Sequence, residues 1–288
     1  MVAGRGKIGR ALILCHRCDM TAKRVAALLG SALTNETVEL VYLDELIQSP
    51  HLSQRLQDRN SSSEFQLWDG RRVGSDDLAL VFNRLRYVEI AHFHRAKPAE
   101  RDYAVSEMFA LLVSWLHSLQ CPVLNPPSSQ SLQGRFLSPL AWQSLALSAG
   151  LSVPELRIVT SQRRYTERVL PPLPDGAAVL GVSPESPAMS QFGGGNWPGV
   201  FCTALGTAIR TVLVLGSEVF GDIDGTQEVP CRNLARLSGF DILRLQFVQA
   251  ARSTAWIFIG ADPVPELTSP TEVAALTHFL LRTMSSPR

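Results

Sequence analysis

The chain has 288 residues, enough for a sizeable core and about two domains. Its formal net charge is +1, so no field for a polyanion is implied and nucleic-acid binding is disfavoured. Five cysteines, an odd number spread from Cys15 to Cys231, do not suggest a disulfide framework, and no apolar run approaches the ~20 residues that span a bilayer.

The N-terminus is basic (Arg5, Lys7, Arg10), but the apolar run that follows, residues 11–14, is too short for a signal peptide; a cytoplasmic protein is expected. Residues 11–15 read as a buried strand, 20–33 as a helix with Ala22, Val25, Leu29 and Leu33 at helical spacing, and 38–43 as a second strand. That order predicts a parallel sheet. Asp69-Gly70 between 65–68 and 71–73 is a hairpin signal. Residues 78–83 read as a buried strand and 103–119 as the longest helix. Asn125-Pro126-Pro127 breaks the chain and sets a boundary between domains 1–127 and 128–288.

The second part alternates more irregularly. A helix is expected over 137–149 with Gly150 as its C-cap, and strands over 156–160, 177–182, 208–215, 241–248 and 256–259. Ser269-Pro270-Thr271-Glu272 signals the start of a final helix ending near Met284.

Only Lys7, Lys23 and Lys97 are lysine; every basic residue over 98–288 is arginine. A general preference for arginine explains the skew. It does not explain the loss of a lysine that a reaction needs.

Ordered segments of the chain carry a resemblance. They are Leu12-Ile13-Leu14-Cys15 with Asp19, Val81-Phe82-Asn83-Arg84-Leu85-Arg86, and a helix with Glu107 before Pro122-Val123-Leu124-Asn125-Pro126. Gly150-Leu151-Ser152-Val153-Pro154, then Ile158-Val159-Thr160-Ser161, then residues 209–216 and 258–265, complete the set. In this order they resemble the ATP-grasp superfamily, and within it the peptide-modifying ligases of the graspetide (microviridin) type. The resemblance implies an α/β fold: a Rossmann-like N-terminal pre-ATP-grasp domain and two α+β subdomains that clasp ATP. It also implies phosphorylation of a carboxylate by Mg-ATP, which needs cationic clamps on the phosphates and hard oxygen ligands for the metal.

Against that pattern the chain departs at specific places. The family's lysine at the head of the helix before Gly150 falls near Ser138-Pro139, and a second lysine aligns with Ser183. The family's metal-binding aspartate aligns near Gln246, and its paired Glu and Asn align with Gly260 and Asp262. Arg135, Arg163, Arg164 and Arg168 flank the expected cleft, and Arg210 resembles an arginine used near the phosphates. Arginine, a planar fork, does not replace a lysine point charge at close quarters.

Three local features have an ordinary reading beside a functional one. Cys15-His16-Arg17-Cys18, between a strand and a helix, could be a redox dithiol with a lowered thiol pKa or half a zinc site; small residues at a strand end are the plain alternative. His92-Phe93-His94 could present two imidazoles to a metal or form a solvated loop. Gly193-Gly194-Gly195-Asn196 could cradle phosphates through backbone N–H groups or be a plain loop.

The expectation is thus an ATP-grasp-like protein without ligase turnover, which binds a peptide or a partner enzyme in a peptide-modification pathway and needs no cofactor. Two alternatives stay open: an active ligase using ATP and Mg²⁺ with Arg210 on phosphate and Asp262 on the sole metal, and a redox or metal protein built on Cys15 and Cys18. The binding candidates are Arg135, Ser183, Gly193, Gly194, Gly195, Asn196, Arg210 and Asp262. No nucleic acid and no membrane are expected as partners, and a homodimer stays open.

Overall fold

The computed structural model describes residues 9–33, 37–57, 60–75, 77–89, 93–154, 156–159, 178–179, 199–202, 205–250 and 255–285. They form two compact units: residues 1–136 with 239–243 and 263–288, and residues 137–238 with 244–262.

The first unit is built on a parallel sheet. Its strands β1 (Arg10–Cys15), β2 (Val38–Tyr42), β6 (Leu78–Asn83) and β7 (Val123–Leu124) stand in the order β2-β1-β6-β7. Residues 11–15 are buried throughout, as a strand inside a parallel sheet must be when both faces are covered. Helix α1 (Met20–Ala32) starts at Asp19, whose carboxylate accepts the N–H of Ala22 at 2.9 Å and satisfies an orphan donor of the first turn. A short helix α2 (Leu43–Ile47) leads into the antiparallel ribbon β3 (His51–Gln57), β4 (Asn60–Gln66) and β5 (Arg72–Gly74).

Helix α3 (Pro98–Ser118) begins five residues before the expected start. Lys97, the last lysine, is its N-cap; the backbone N–H of Lys97 donates to Glu100 at 3.0 Å, and Pro98 needs no partner at the first helical position. Trp115 of α3 is fully buried and tilts against Phe65 of β4 at 4.7 Å, which anchors helix and ribbon in one core.

Asn125 ties later chain segments to this unit. It is buried, with φ of 52°, a conformation asparagine tolerates better than most residues. Its Nδ2 donates to the carbonyls of Ile242 (2.9 Å) and Pro263 (2.6 Å), and its Oδ1 accepts from the N–H groups of Asp241 and Ile242. Close by, Gly134 (φ 107°) lies under Phe240, where a Cβ would come within 2.5 Å of the ring.

The second unit holds α4 (Pro139–Ala149), β8 (Leu156–Val159), β9 (Ala178–Val179), β10 (Gly199–Cys202), β11 (Leu205–Leu215), β12 (Glu218–Phe220), α5 (Gly225–Ser238), β13 (Ile242–Ala250) from Arg244 onward, and β14 (Trp256–Asp262). The final helix, α6 (Pro270–Ser285), packs on α1 within the first unit. Strands β8, β10 and β9 form one small antiparallel sheet; β12-β11-β13-β14 form another. Helix α4 ends as expected at Gly150, which takes the left-handed conformation (φ 92°). The sequence reading placed no helix over 225–238. Asp224 caps α5 by accepting from the N–H groups of Thr226 and Gln227, and its interior Pro230 disguises the pattern. No described helix is long and apolar enough to cross a membrane.

Candidate nucleotide and metal site

The sheet face that matters lies on β13 and β14. These strands pair antiparallel, with Arg244 opposite Asp262 and Gln246 opposite Gly260. The register then shifts so that Phe247 faces Phe258 and Ile259 is left over. This bulge exchanges the faces of β14. Beyond it, the two buried phenylalanines meet edge-on at 5.9 Å inside the unit. Before it, Arg244, Gln246, Gly260 and Asp262 share one face, because directly opposed residues and those two apart point the same way.

That face carries one carboxylate, one amide, one bare backbone position and one guanidinium. Nothing lies within 4 Å of where a Cβ on Gly260 would sit, and its φ is not in the left-handed range. Neither packing nor backbone conformation therefore demands glycine there. The remaining carboxylate, Asp262, stands opposite a cation of its own chain. A hard divalent ion seeks several oxygen ligands, commonly carboxylates. Among the described residues no group of three or more His, Cys, Asp or Glu side chains could hold a metal ion.

Arg210 on β11 stands elsewhere. Its guanidinium lies 4.1 Å from the ring centroid of Trp256 and 3.3 Å from the Asp222 carboxylate. Trp256 opens β14 and Asp262 closes it. At about 3.3 Å per residue the two ends are roughly 15–20 Å apart. Arg210 and Asp262, which the sequence reading grouped, are thus not brought together. Trp256, Asp222 and Arg244 are the neighbours it missed; strand order and pairing place them, and a single sequence does not print either.

The lysine positions differ in what is visible. Ser138 is the N-cap of α4, its Oγ accepting the N–H of Ala141 at 3.3 Å, and Pro139 takes the first helical position. The place near which the resemblance puts a lysine is therefore occupied by capping residues. Ser183, Gly193, Gly194, Gly195 and Asn196, with Arg163, Arg164 and Arg168, lie outside the described residues. Arg135 is exposed and belongs to the first unit.

The dithiol reading meets contrary geometry. Cys15 ends β1 fully buried, and burial, reinforced by Asp19, pushes its thiol up to about 12. A redox thiol needs the opposite shift. Cys18 is exposed and both are free. His92 lies outside the described residues, and residues 93–96 form a turn rather than a strand.

No protein-family model matches the chain. No curated protein matches it. Among solved structures it is similar to the RiPP-associated ATP-grasp ligase of Chryseobacterium gregarium, solved in complex with ADP and a leader and core peptide. The identity is 15% over 97% of this chain and 98% of that one, with a TM-score of 0.73. It is similar too to the macrocyclase MdnC of Microcystis aeruginosa MRC, bound with precursor peptide MdnA: 13% identity, 94% and 99% coverage, TM-score 0.72. The macrocyclase MdnB of the same organism gives 17% identity, the same coverages and a TM-score of 0.71. At these identities the likeness speaks for the fold. The chain has an ATP-grasp fold resembling that of peptide-modifying ligases.

Proposed function

We propose that this protein is a catalytically silent ATP-grasp protein that holds a peptide, or a partner enzyme, in a cytoplasmic peptide-modification pathway. In sequence order, residues 1–127 serve as the pre-ATP-grasp part and 128–288 as a shortened ATP-grasp part. The observation that carries the reading is the β13–β14 face, where Gln246 opposes Gly260 and Arg244 opposes Asp262. Residues 98–288 hold no lysine to clamp a triphosphate. A phosphoryl transfer relies on positioned cations and metal for nearly all its acceleration, so loss of both removes the reaction rather than slowing it slightly. The single carboxylate on that face, opposite a guanidinium, supports this reading.

The peptide part of the reading draws on the neighbours, several of which are solved with leader, core or precursor peptides. The competing active ligase would use Arg210 on phosphate and Asp262 on metal. The stacking of Arg210 on Trp256, at the far end of β14 from Asp262, speaks against that version. The test is ADP release from Mg-ATP by the full chain in the presence of candidate precursor peptides from the neighbouring genes. The proposal expects none above a no-enzyme control, with the peptide nonetheless bound; peptide-dependent ADP release overturns it.

A further inference from the structure

Among the described residues the most exposed large aromatic side chain is Trp68, 76% accessible at the turn between β4 and β5. The turn is closed by backbone hydrogen bonds. The N–H of Gly70 donates to Leu67 at 3.0 Å, that of Leu67 to Arg71 at 2.8 Å, and Gly70 takes φ of 87°. An exposed indole on a fixed turn is a preformed contact element, with little ordering entropy left to lose on binding.

Trp68 borders a cavity of about 190 Å³ shared with Arg17, Asp44, Glu45 and Asp69. Arg17 follows β1, and Asp44 and Glu45 follow β2, so the cavity opens at the carboxyl ends of parallel strands, where open α/β sheets receive ligands. Small-molecule sites usually enclose about 300–1,000 Å³, so this cavity suits one side chain rather than a nucleotide.

Its charge is decided by pairing. Arg17 Nε donates to Asp44 at 2.7 Å and its Nη2 lies 3.5 Å from Glu45. Arg71 reaches Glu45 at 3.3 Å and Asp69 at 2.6 Å. Three carboxylates against two guanidiniums leave one negative charge beside an exposed indole. The Asp44 and Asp69 side chains remain 40% and 51% exposed, open to a further donor.

We propose that this cavity is a docking site for an arginine side chain of a peptide partner, its guanidinium stacked on Trp68 and forked onto the Asp44 and Asp69 carboxylates. A guanidinium fits better than an ammonium because it stacks on the indole face while donating in its own plane. The proposal rests on the peptide-holding part of the proposed function and is indifferent to ATP turnover.

The test is titration of the ¹⁵N-labelled full chain with a blocked pentapeptide of alanines with two arginines, beside its glutamine counterpart. The Trp68 indole N–H signal is identified by Trp68→Phe. The arginine peptide is expected to move that signal and the glutamine peptide to leave it. Trp68→Ala and Asp44→Asn are each expected to weaken the arginine peptide about five- to tenfold. Equal effects of the two peptides, no movement of the signal, or wild-type affinity in both variants overturns the proposal. Undiminished affinity in the variants places a bound peptide elsewhere and leaves the proposed function standing. Self-association of the protein that Trp68→Ala abolishes assigns the cavity to a second copy and also overturns it.

Discussion

Gln246 stands directly opposite Gly260 across the β13–β14 pair. The resemblance to peptide-modifying ligases puts carboxylates near those two positions, and the face is shaped to accept them. Directly opposed residues of an antiparallel pair point the same way, and a Cβ at 260 would meet nothing within 4 Å.

Restoring that chemistry is the first prediction. Gln246→Asp with Gly260→Glu should build a divalent-ion site on this face, tightening Mn²⁺ binding at least about tenfold by electron paramagnetic resonance. Arg244→Ala added to the pair should tighten it further, because the cation opposite Asp262 repels the ion. Equal Mn²⁺ affinity in wild type and variants would sink the idea.

Asn125→Ala should destabilise the first unit by about 2–4 kcal/mol. The substitution strands the carbonyls of Ile242 and Pro263 and the N–H groups of Asp241 and Ile242, with at least part of this set buried. Urea unfolding measures it; a loss below about 0.5 kcal/mol would show that the clamp is dispensable.

The Asp19–Arg84 pair behaves differently from a surface pair. Arg84 Nε donates to Asp19 at 2.6 Å with only 3% and 11% of the side chains exposed, and Arg84 Nη2 also donates to Pro265. Asp19→Ala should cost about 3–5 kcal/mol because it leaves a buried guanidinium uncompensated. Adding Arg84→Met should recover part of that loss. A double variant less stable than the single one contradicts the argument.

Burial raises the folded-state pKa of the Cys15 thiol above its unfolded value, so the neutral form is the one the fold favours. The associated stability is fully present below the unfolded value of about 8.5 and is lost as pH rises toward about 12. At pH 8, iodoacetamide labelling mapped by mass spectrometry should modify Cys18 and leave Cys15 untouched until unfolding. Comparable labelling of both would revive the dithiol reading.

Much of the frame was legible because local signals were strong. The Asp69-Gly70 turn, the Gly150 cap and the Ser269-Pro270 helix start each rest on a backbone requirement that few residues meet. The β3–β4 hairpin escaped notice because β3 is exposed along residues 51–55, Leu52 included, and shows no alternation to read. The contacts of the candidate site were not legible. The sequence pointed to Gln246 and Gly260 as departures, yet Arg244 beside Asp262 and Trp256 beneath Arg210 depend on register and a bulge, which are set by tertiary pairing.

The most direct measurement is calorimetric titration of Mg-ATP into the full chain, repeated without Mg²⁺ and followed by thermal unfolding. The account predicts no saturable, Mg²⁺-dependent heat and no Mg-ATP-dependent rise in melting temperature. Saturable Mg²⁺-dependent binding, stabilising by about 2.7 kcal/mol at a hundredfold excess over Kd, would contradict it.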